Sequence, residues 1–352
     1  MTASPPKDRL RIAALFVAAA VIAAFLYWNA TRYKRAVRYE KTVSAMGTFV
    51  TATAWSDDEA LATAAIDDAL ETTSRLERLL SAFDPNSDIS RLNGKSTGLN
   101  FSVARETHEC LLLATRVSRE TSGAFDITVG PLVALWKKAG QSGALPSARD
   151  IEAARERVSY KFISPLPGFS SVMISPGSRV QIDLAAVAKG FIMEKAAKAM
   201  KDRGVTSGFV NGGGDIRFIG SNPDGSPFRV GVADPRDETA VAVTLNVSSC
   251  AVVTSGNYEQ FYEIAGKHYS HIIDPRTGWA LEGAKTPASV TVVASDAGDA
   301  DAWATALSVL GRDGADAAAK AGIEFLMFFV EGDDLVPFQS AGMAPYIKEP
   351  SK

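Results

Sequence analysis

The sequence predicts an α+β fold: a single large domain of mixed sheets and helices, preceded by one N-terminal transmembrane helix. Three observations lead there. First, 352 residues with 46% hydrophobic side chains carry too much apolar surface for a disordered chain. Second, from about residue 42 onward, runs of period 2 alternate with runs of helical period, without a Pro/Gly/Ser-rich break. Third, residues 12–28 form an uncharged run, Ile-Ala-Ala-Leu-Phe-Val-Ala-Ala-Ala-Val-Ile-Ala-Ala-Phe-Leu-Tyr-Trp.

That run meets the lower end of the roughly 17–25 residues a spanning helix needs. Tyr27 and Trp28 close it as an interfacial belt, and Lys7, Arg9 and Arg11 precede it. Bulky residues at 27 and 28 favour an anchor that stays uncleaved. Arg32, Lys34, Arg35 and Arg38 follow, so the flanking charges do not set the orientation. The resulting division is a tail over 1–11, an anchor over 12–28, a juxtamembrane linker over 29–41 and a folded domain over 42–348.

Within the domain, 48–55 alternates like a strand. Residues 57–80 repeat apolar side chains at helical spacing behind Ser56 and Glu59, a capping-box pattern. A second helix is expected over 106–121, with Leu112 and Val117 on its apolar side. A third is expected over 186–203, stopped by Gly204. Strands follow near 208–210, 229–232, 241–245 and 290–294, then a helix over 300–310 and a buried strand over 324–330.

Charge and cysteine content exclude several functions. A net charge of -3 without a basic stripe gives no reason to expect nucleic acid. Cys110 and Cys250 lack CxxC spacing and read as buried free thiols, with a disulfide between them as the alternative.

Five stretches mix glycine, small residues and a few polar groups beyond what a packed core needs. In Thr121-Ser-Gly-Ala-Phe-Asp126 a helix ends and a carboxylate follows, which a plain helix stop would also explain. Val180-Gln-Ile-Asp-Leu-Ala-Ala-Val-Ala-Lys-Gly190 reads as a strand carrying Asp183 that runs into a helix. Lys189 on its first turns is either solvated surface, as a lone helical lysine usually is, or, set among Ala, Val and Phe, a point charge for a phosphate. The glycines of Asn211-Gly-Gly-Gly-Asp215 permit unusual backbone angles, but the stretch is neither a P-loop nor a GxGxxG fingerprint.

His268-Tyr-Ser-His-Ile-Ile-Asp-Pro-Arg-Thr-Gly278 holds two of the three histidines and a turn signature. His271 is either a general base at a strand end or a satisfied structural histidine. Finally, Asp296-Ala-Gly-Asp-Ala-Asp-Ala-Trp-Ala-Thr305 carries three aspartates. Asp296 and Asp299 suit a helix dipole. Asp301 and Thr305, four apart, share a face and offer hard oxygen donors suited to Mg²⁺ rather than zinc.

Taken together, Met46-Gly-Thr48, Ser87-Asp-Ile-Ser-Arg-Leu-Asn93, Ser122-Gly-Ala-Phe-Asp126, Asp183-Leu-Ala-Ala-Val-Ala-Lys-Gly190, Asn211-Gly-Gly-Gly-Asp215, Thr254-Ser-Gly256, His271-Ile-Ile-Asp-Pro-Arg-Thr-Gly278 and Asp301-Ala-Trp-Ala-Thr305 stand in an order that resembles the ApbE family, the FAD:protein FMN transferases. The resemblance implies that FAD is the substrate and Mg²⁺ the cofactor. It further implies transfer of FMN to a threonine hydroxyl of a target protein with release of AMP. The implied partner is a flavin-carrying subunit of a membrane redox complex. The implied location is the bacterial inner membrane, with the catalytic domain periplasmic.

Residue by residue, the resemblance places FAD against Met46, Phe83, Ala124, Phe125, Asp126, Asp183, Lys189 and Ile273. It assigns the metal to the carbonyl of Ala186 and the side chains of Asp301 and Thr305, with His271 as base at the acceptor hydroxyl. Three features depart from the family pattern. Phe83 stands where tyrosine is common, Lys-Lys follows Trp136, and the N-terminal segment has no lipid-accepting cysteine. Two alternatives share the same residues: a Mg²⁺-dependent FAD pyrophosphatase releasing FMN and AMP, and a non-catalytic membrane-anchored FAD-binding protein.

Overall fold

The computed structural model describes residues 19–23, 36–94, 100–257, 261–283, 286–332 and 334–347. Most of the 12–28 run lies outside these residues; its described part, 19–23, is helical and exposed. Among the described residues no helix is long and apolar enough to cross a membrane.

An eight-stranded antiparallel sheet organises the chain, in the order β1-β2-β6-β7-β10-β13-β14-β15. Its strands are β1 (Val37–Ala45), β2 (Thr48–Ser56), β6 (Gly208–Gly212), β7 (Asp215–Ile219), β10 (Ala251–Gly256), β13 (Ser289–Ala294), β14 (Glu324–Glu331) and β15 (Asp334–Gln339). β1 therefore begins inside the segment read as linker. Smaller units complete the strand set: β3 (Asn100–Ser102), β4 (Ile163–Pro165) and β5 (Ser171–Ile174) form one, β8 (Phe228–Asp234) and β9 (Asp237–Val247) another, and β11 (Phe261–Ile264) and β12 (Lys267–Ser270) a third.

The helices are α1 (Glu59–Leu80), α2 (Asp88–Asn93), α3 (Arg105–Glu120), α4 (Gly130–Ser142), α5 (Ala148–Arg155), α6 (Ala188–Asp202), α7 (Ala297–Leu310) and α8 (Ala315–Ala321). α1 buries Ala62, Ala65, Ile66, Ala69, Leu70, Thr73, Leu76 and Leu80, the stripe its spacing demands. Its cap is Asp58, which accepts from Leu61 N, while Ser56 Oγ accepts from Asp58 N; with Leu61 at the third helical position, the expected Ser56–Glu59 capping box does not form. In α3, Val117 is buried but Leu112 is 37% exposed. Five positions separate them, which turns the two side chains far apart on a helix of 3.6 residues per turn.

α7 is buried on nearly all sides, between β10 and β13 below and α6 and α3 beside it. Its alanines allow close approach, and Trp303 fills the remaining space. The helix starts at Ala297 rather than 300, because Asp296 caps it by accepting from Gly298 N and Asp299 N. Asp299 is paired with Arg116 of α3. A second apolar cluster, with Phe218, Phe228, Leu245 and Phe328, covers the sheet's opposite face under β8 and β9. A third joins α4 to β11 and β12 through Leu132, Trp136, Tyr269 and Ile273.

Candidate active site

Two hairpin tips lie side by side at one end of the sheet. Each has a two-residue loop, Met46-Gly47 between β1 and β2 and Gly213-Gly214 between β6 and β7. All four residues have positive φ (55°, 73°, 65° and 101°), the pattern of a type I′ turn. Val50 pairs with Gly212, and Gly213 N donates to Phe49 O at 3.2 Å, so the tips touch. Met46 holds a left-handed backbone that a side chain disfavours, braced by its N–H donating to Glu77 Oε1 at 2.6 Å.

Asp215 opens β7 directly after the glycine turn. Its Oδ1 accepts from Thr254 N on β10 at 2.9 Å, and its Oδ2 pairs with Lys189 Nζ at 2.5 Å. Lys189 is the second residue of α6. Its neighbour Gly190 donates its N–H to Asp301 Oδ2 at 2.8 Å, across the α6–α7 contact. Burial, reinforced by the Asp215 charge, pushes the Asp301 carboxyl up to about 7, against the pull of Lys189 and the Gly190 N–H. Burial raises Asp215 as well.

The cluster thus holds two interior carboxylates and one ammonium. That charge balance leaves room for a further cation. Among the described residues no three His, Cys, Asp or Glu side chains gather into a metal centre. Asp301, half-buried Thr305 one turn later, and the carbonyl of half-buried Ala186 in the turn before α6 are a candidate all-oxygen set. It fits a small hard ion that keeps several of its own waters.

His271 follows β12 on a braced segment. Ser270 N donates to Leu281 O, and Leu281 N donates to Ile272 O, both at 2.9 Å. Ser270 Oγ accepts from Ile272 N at 3.1 Å and donates to Asn257 Oδ1 at 2.8 Å, which ties the segment to the end of β10. The Asp274–Gly278 turn behind it closes through Gly278 N donating to Asp274 O at 2.8 Å. Gly278 is required there: its φ is +77°, and a Cβ would lie 2.6 Å from Ile151 Cγ2.

The remaining expected contacts divide by what they expose. Ala124, Phe125 and Ile273 are buried as whole residues, backbone included, and present almost no surface. Asp126 is spent within the fold: Oδ1 accepts from Thr128 N and Oγ1, Oδ2 from Tyr160 N, and burial raises its carboxyl. Asp183 does not lie on a strand. Its segment is extended but unpaired apart from Asp183 N donating to Ile127 O, while the Asn93 side chain takes the place of a neighbouring strand by bonding both Ile182 N and Ile182 O. Phe83 is 93% exposed in the turn after α1. Ala186 precedes α6 rather than opening it.

Residues 46–327 match the sequence model of the ApbE family. The chain belongs to the ApbE family. Its relatives include an Escherichia coli protein named FAD:protein FMN transferase, 32% identical over 269 residues that cover 75% of this chain and 76% of that one. A Vibrio cholerae protein of the same name is 30% identical over 81% of this chain and 87% of its own. Among solved structures, an ApbE protein of Thermotoga maritima superposes with a TM-score of 0.78 at 31% identity, covering 89% of this chain and 100% of the other. A flavin transferase ApbE of Vibrio cholerae gives 0.78 at 27%, with the same coverage.

The ApbE fold therefore accounts for the mixed single domain, and the named relatives are transferases. Among the residues of this cluster in the ApbE fold, Asp215 and Thr254 carry no role that their sequence neighbourhood specifies. In the sequence Asp215 ends the glycine run. The only signal for its role was a carboxylate placed where the backbone turns back toward the helix that carries Lys189.

Proposed function

We propose that the protein transfers the FMN half of FAD to a threonine hydroxyl of a target protein and releases AMP, in a Mg²⁺-dependent reaction. The observation that carries this reading is the set of buried Asp301 and Asp215 with half-buried Lys189 beside the glycine hairpin tip. Such a set suits a diphosphate with a divalent counter-ion, and the named activity of the relatives agrees with it.

Transfer forms a bond between the threonine Oγ and the FMN phosphorus, and breaks the bond from that phosphorus to the bridging oxygen. AMP leaves with that oxygen. His271 takes the hydroxyl proton, while Lys189, aimed by Asp215, faces the diphosphate charge. Asp301, Thr305 and the Ala186 carbonyl would hold Mg²⁺, which supplies positive charge against the diphosphate oxygens when bound. Met46, Ala124, Phe125 and Ile273 would lie along FAD, with Asp183 and Phe83 at its edges.

The uncharged run at 12–28, ending in Tyr27 and Trp28, supports anchoring in the inner membrane, with the domain on the periplasmic side beside a flavin-carrying redox subunit. The test uses the full chain in detergent with FAD, Mg²⁺ and membranes from cells lacking this protein. A flavin-fluorescent band that survives denaturing electrophoresis is the expected result. Free FMN and AMP without such a band would mean hydrolysis, and unchanged FAD would overturn both.

A further inference from the structure

One largely buried ion pair lies outside the groups used above, yet touches the elements that carry Lys189, Asp215 and Asp301. Glu194 sits on α6 one turn past Gly190. Its Oε2 accepts from Arg217 Nε and from Ala297 N, the latter at 3.0 Å, and its Oε1 accepts from Arg217 Nη2 at 3.2 Å. Ala297 opens α7, the helix of Asp301. Arg217 lies on β7 two residues past Asp215, is 5% exposed, and donates from Nη1 to Phe218 O at 2.6 Å. One carboxylate and one guanidinium thus join the carriers of Lys189, Asp301 and Asp215.

The α6–α7 contact needs such a joint. It is built from small residues: a Cβ on Gly190 would come within 2.1 Å of Ala297 O, and one on Gly298 within 3.4 Å of Phe191 Cα. A contact of glycine and alanine allows close approach but few side-chain interlocks that oppose sliding. A planar guanidinium held at two points fixes direction as well as distance. As a source of stability alone, a buried pair is no better than apolar residues of the same volume.

We propose that Glu194 and Arg217 are positioning residues that set the register of α7 against α6 and β7. They thereby fix where Asp301 stands relative to Lys189 and Asp215, and tune the site's affinity for its divalent cation. This rests on the assignment of that cation to Asp301 and Thr305.

The experiment titrates Mg²⁺ alone into the full chain in detergent by calorimetry, for wild type, Glu194→Gln and Arg217→Lys, beside FMN-transfer kinetics and melting temperatures. Both variants should bind Mg²⁺ about 10–100-fold more weakly, as expected when support behind a metal ligand is removed. Saturating Mg²⁺ should restore most of kcat, with the KM for FAD at the wild-type value. A merely structural pair would lower the melting temperature and leave the Mg²⁺ constant alone, and that result overturns the proposal. Should either single variant melt below the assay temperature, Glu194→Leu with Arg217→Met leaves no buried charge unpaired and is read in the same way. A wild-type chain that takes up no Mg²⁺ would sink the cation assignment, and the proposal with it; unchanged affinity in the variants alone would sink only the proposal.

Discussion

Asp301 accepts the backbone N–H of Gly190 at 2.8 Å, and this one bond joins the first turn of α6 to the second turn of α7. The contact exists because residue 190 has no side chain. A Cβ there would meet Ala297 O at 2.1 Å and Asp301 Cβ at 2.6 Å.

Gly190→Ala should therefore push the two helices apart. Overpacking of this kind costs about 1–3 kcal/mol, and the Asp301 carboxylate moves with its helix. Urea denaturation should show that loss, and FMN transfer should fall by at least ~10²-fold, the scale of losing one electrostatic contact to the transition state. Native stability together with native activity in this variant would refute the close contact.

The charge state of Asp301 gives a pH-dependent expectation. Its carboxyl is raised from 3.8 to about 7, so the folded chain disfavours ionisation there. This penalty is absent below the unfolded value, grows as pH rises between the two, and is complete above the folded value. With metal removed by EDTA, Asp301→Asn should melt higher than wild type at pH 8, and the gap should close toward pH 4. The same variant should lose transfer by ~10²–10³ at every pH. A gap that widens on acidification would contradict the assignment.

Met46 offers a trade between stability and binding. Its φ of 55° opens a two-residue turn whose preferred sequence is Asn-Gly, and Gly47 already follows. Met46→Asn should stabilise the domain by about 1 kcal/mol, since asparagine tolerates the left-handed region. FAD should bind more weakly, because the thioether side chain is lost from the site. Flavin fluorescence titration and thermal melts read the two effects; equal FAD affinity would remove Met46 from the ligand wall.

The thiols should be silent. Cys110 and Cys250 are buried and free, and burial raises both, Cys250 to about 11. A thiol reagent at pH 8 should count none in the native chain and two in denaturant. Rapid native labelling of either would mean that the core around it opens.

Local reading reached far where the physics is local. The placement of Asp301 and Thr305 one turn apart on one helix follows from helical spacing, the positive φ of Gly213 and Gly214 from the glycine run, and the Asp274–Gly278 turn from Pro and Gly. It failed where a distant group decides. Asp183 looks like a strand residue, but the Asn93 amide satisfies its neighbour Ile182 and no ladder forms. The sequence around Asp126 likewise does not show that its carboxylate accepts from Tyr160 N, 34 residues away, as well as from Thr128.

By itself the sequence determined the α+β alternation, the family and the candidate metal face, because periodicity, turn chemistry and motif order are written along the chain. The tertiary structure alone decided that Asp215 claims Lys189, that Asp301 is buried beside it, and that Glu194 and Arg217 join the helices carrying them. Those outcomes depend on burial and on charges brought together from separate elements. Coulombic and desolvation energies depend on distance in space, which spacing along the chain does not encode.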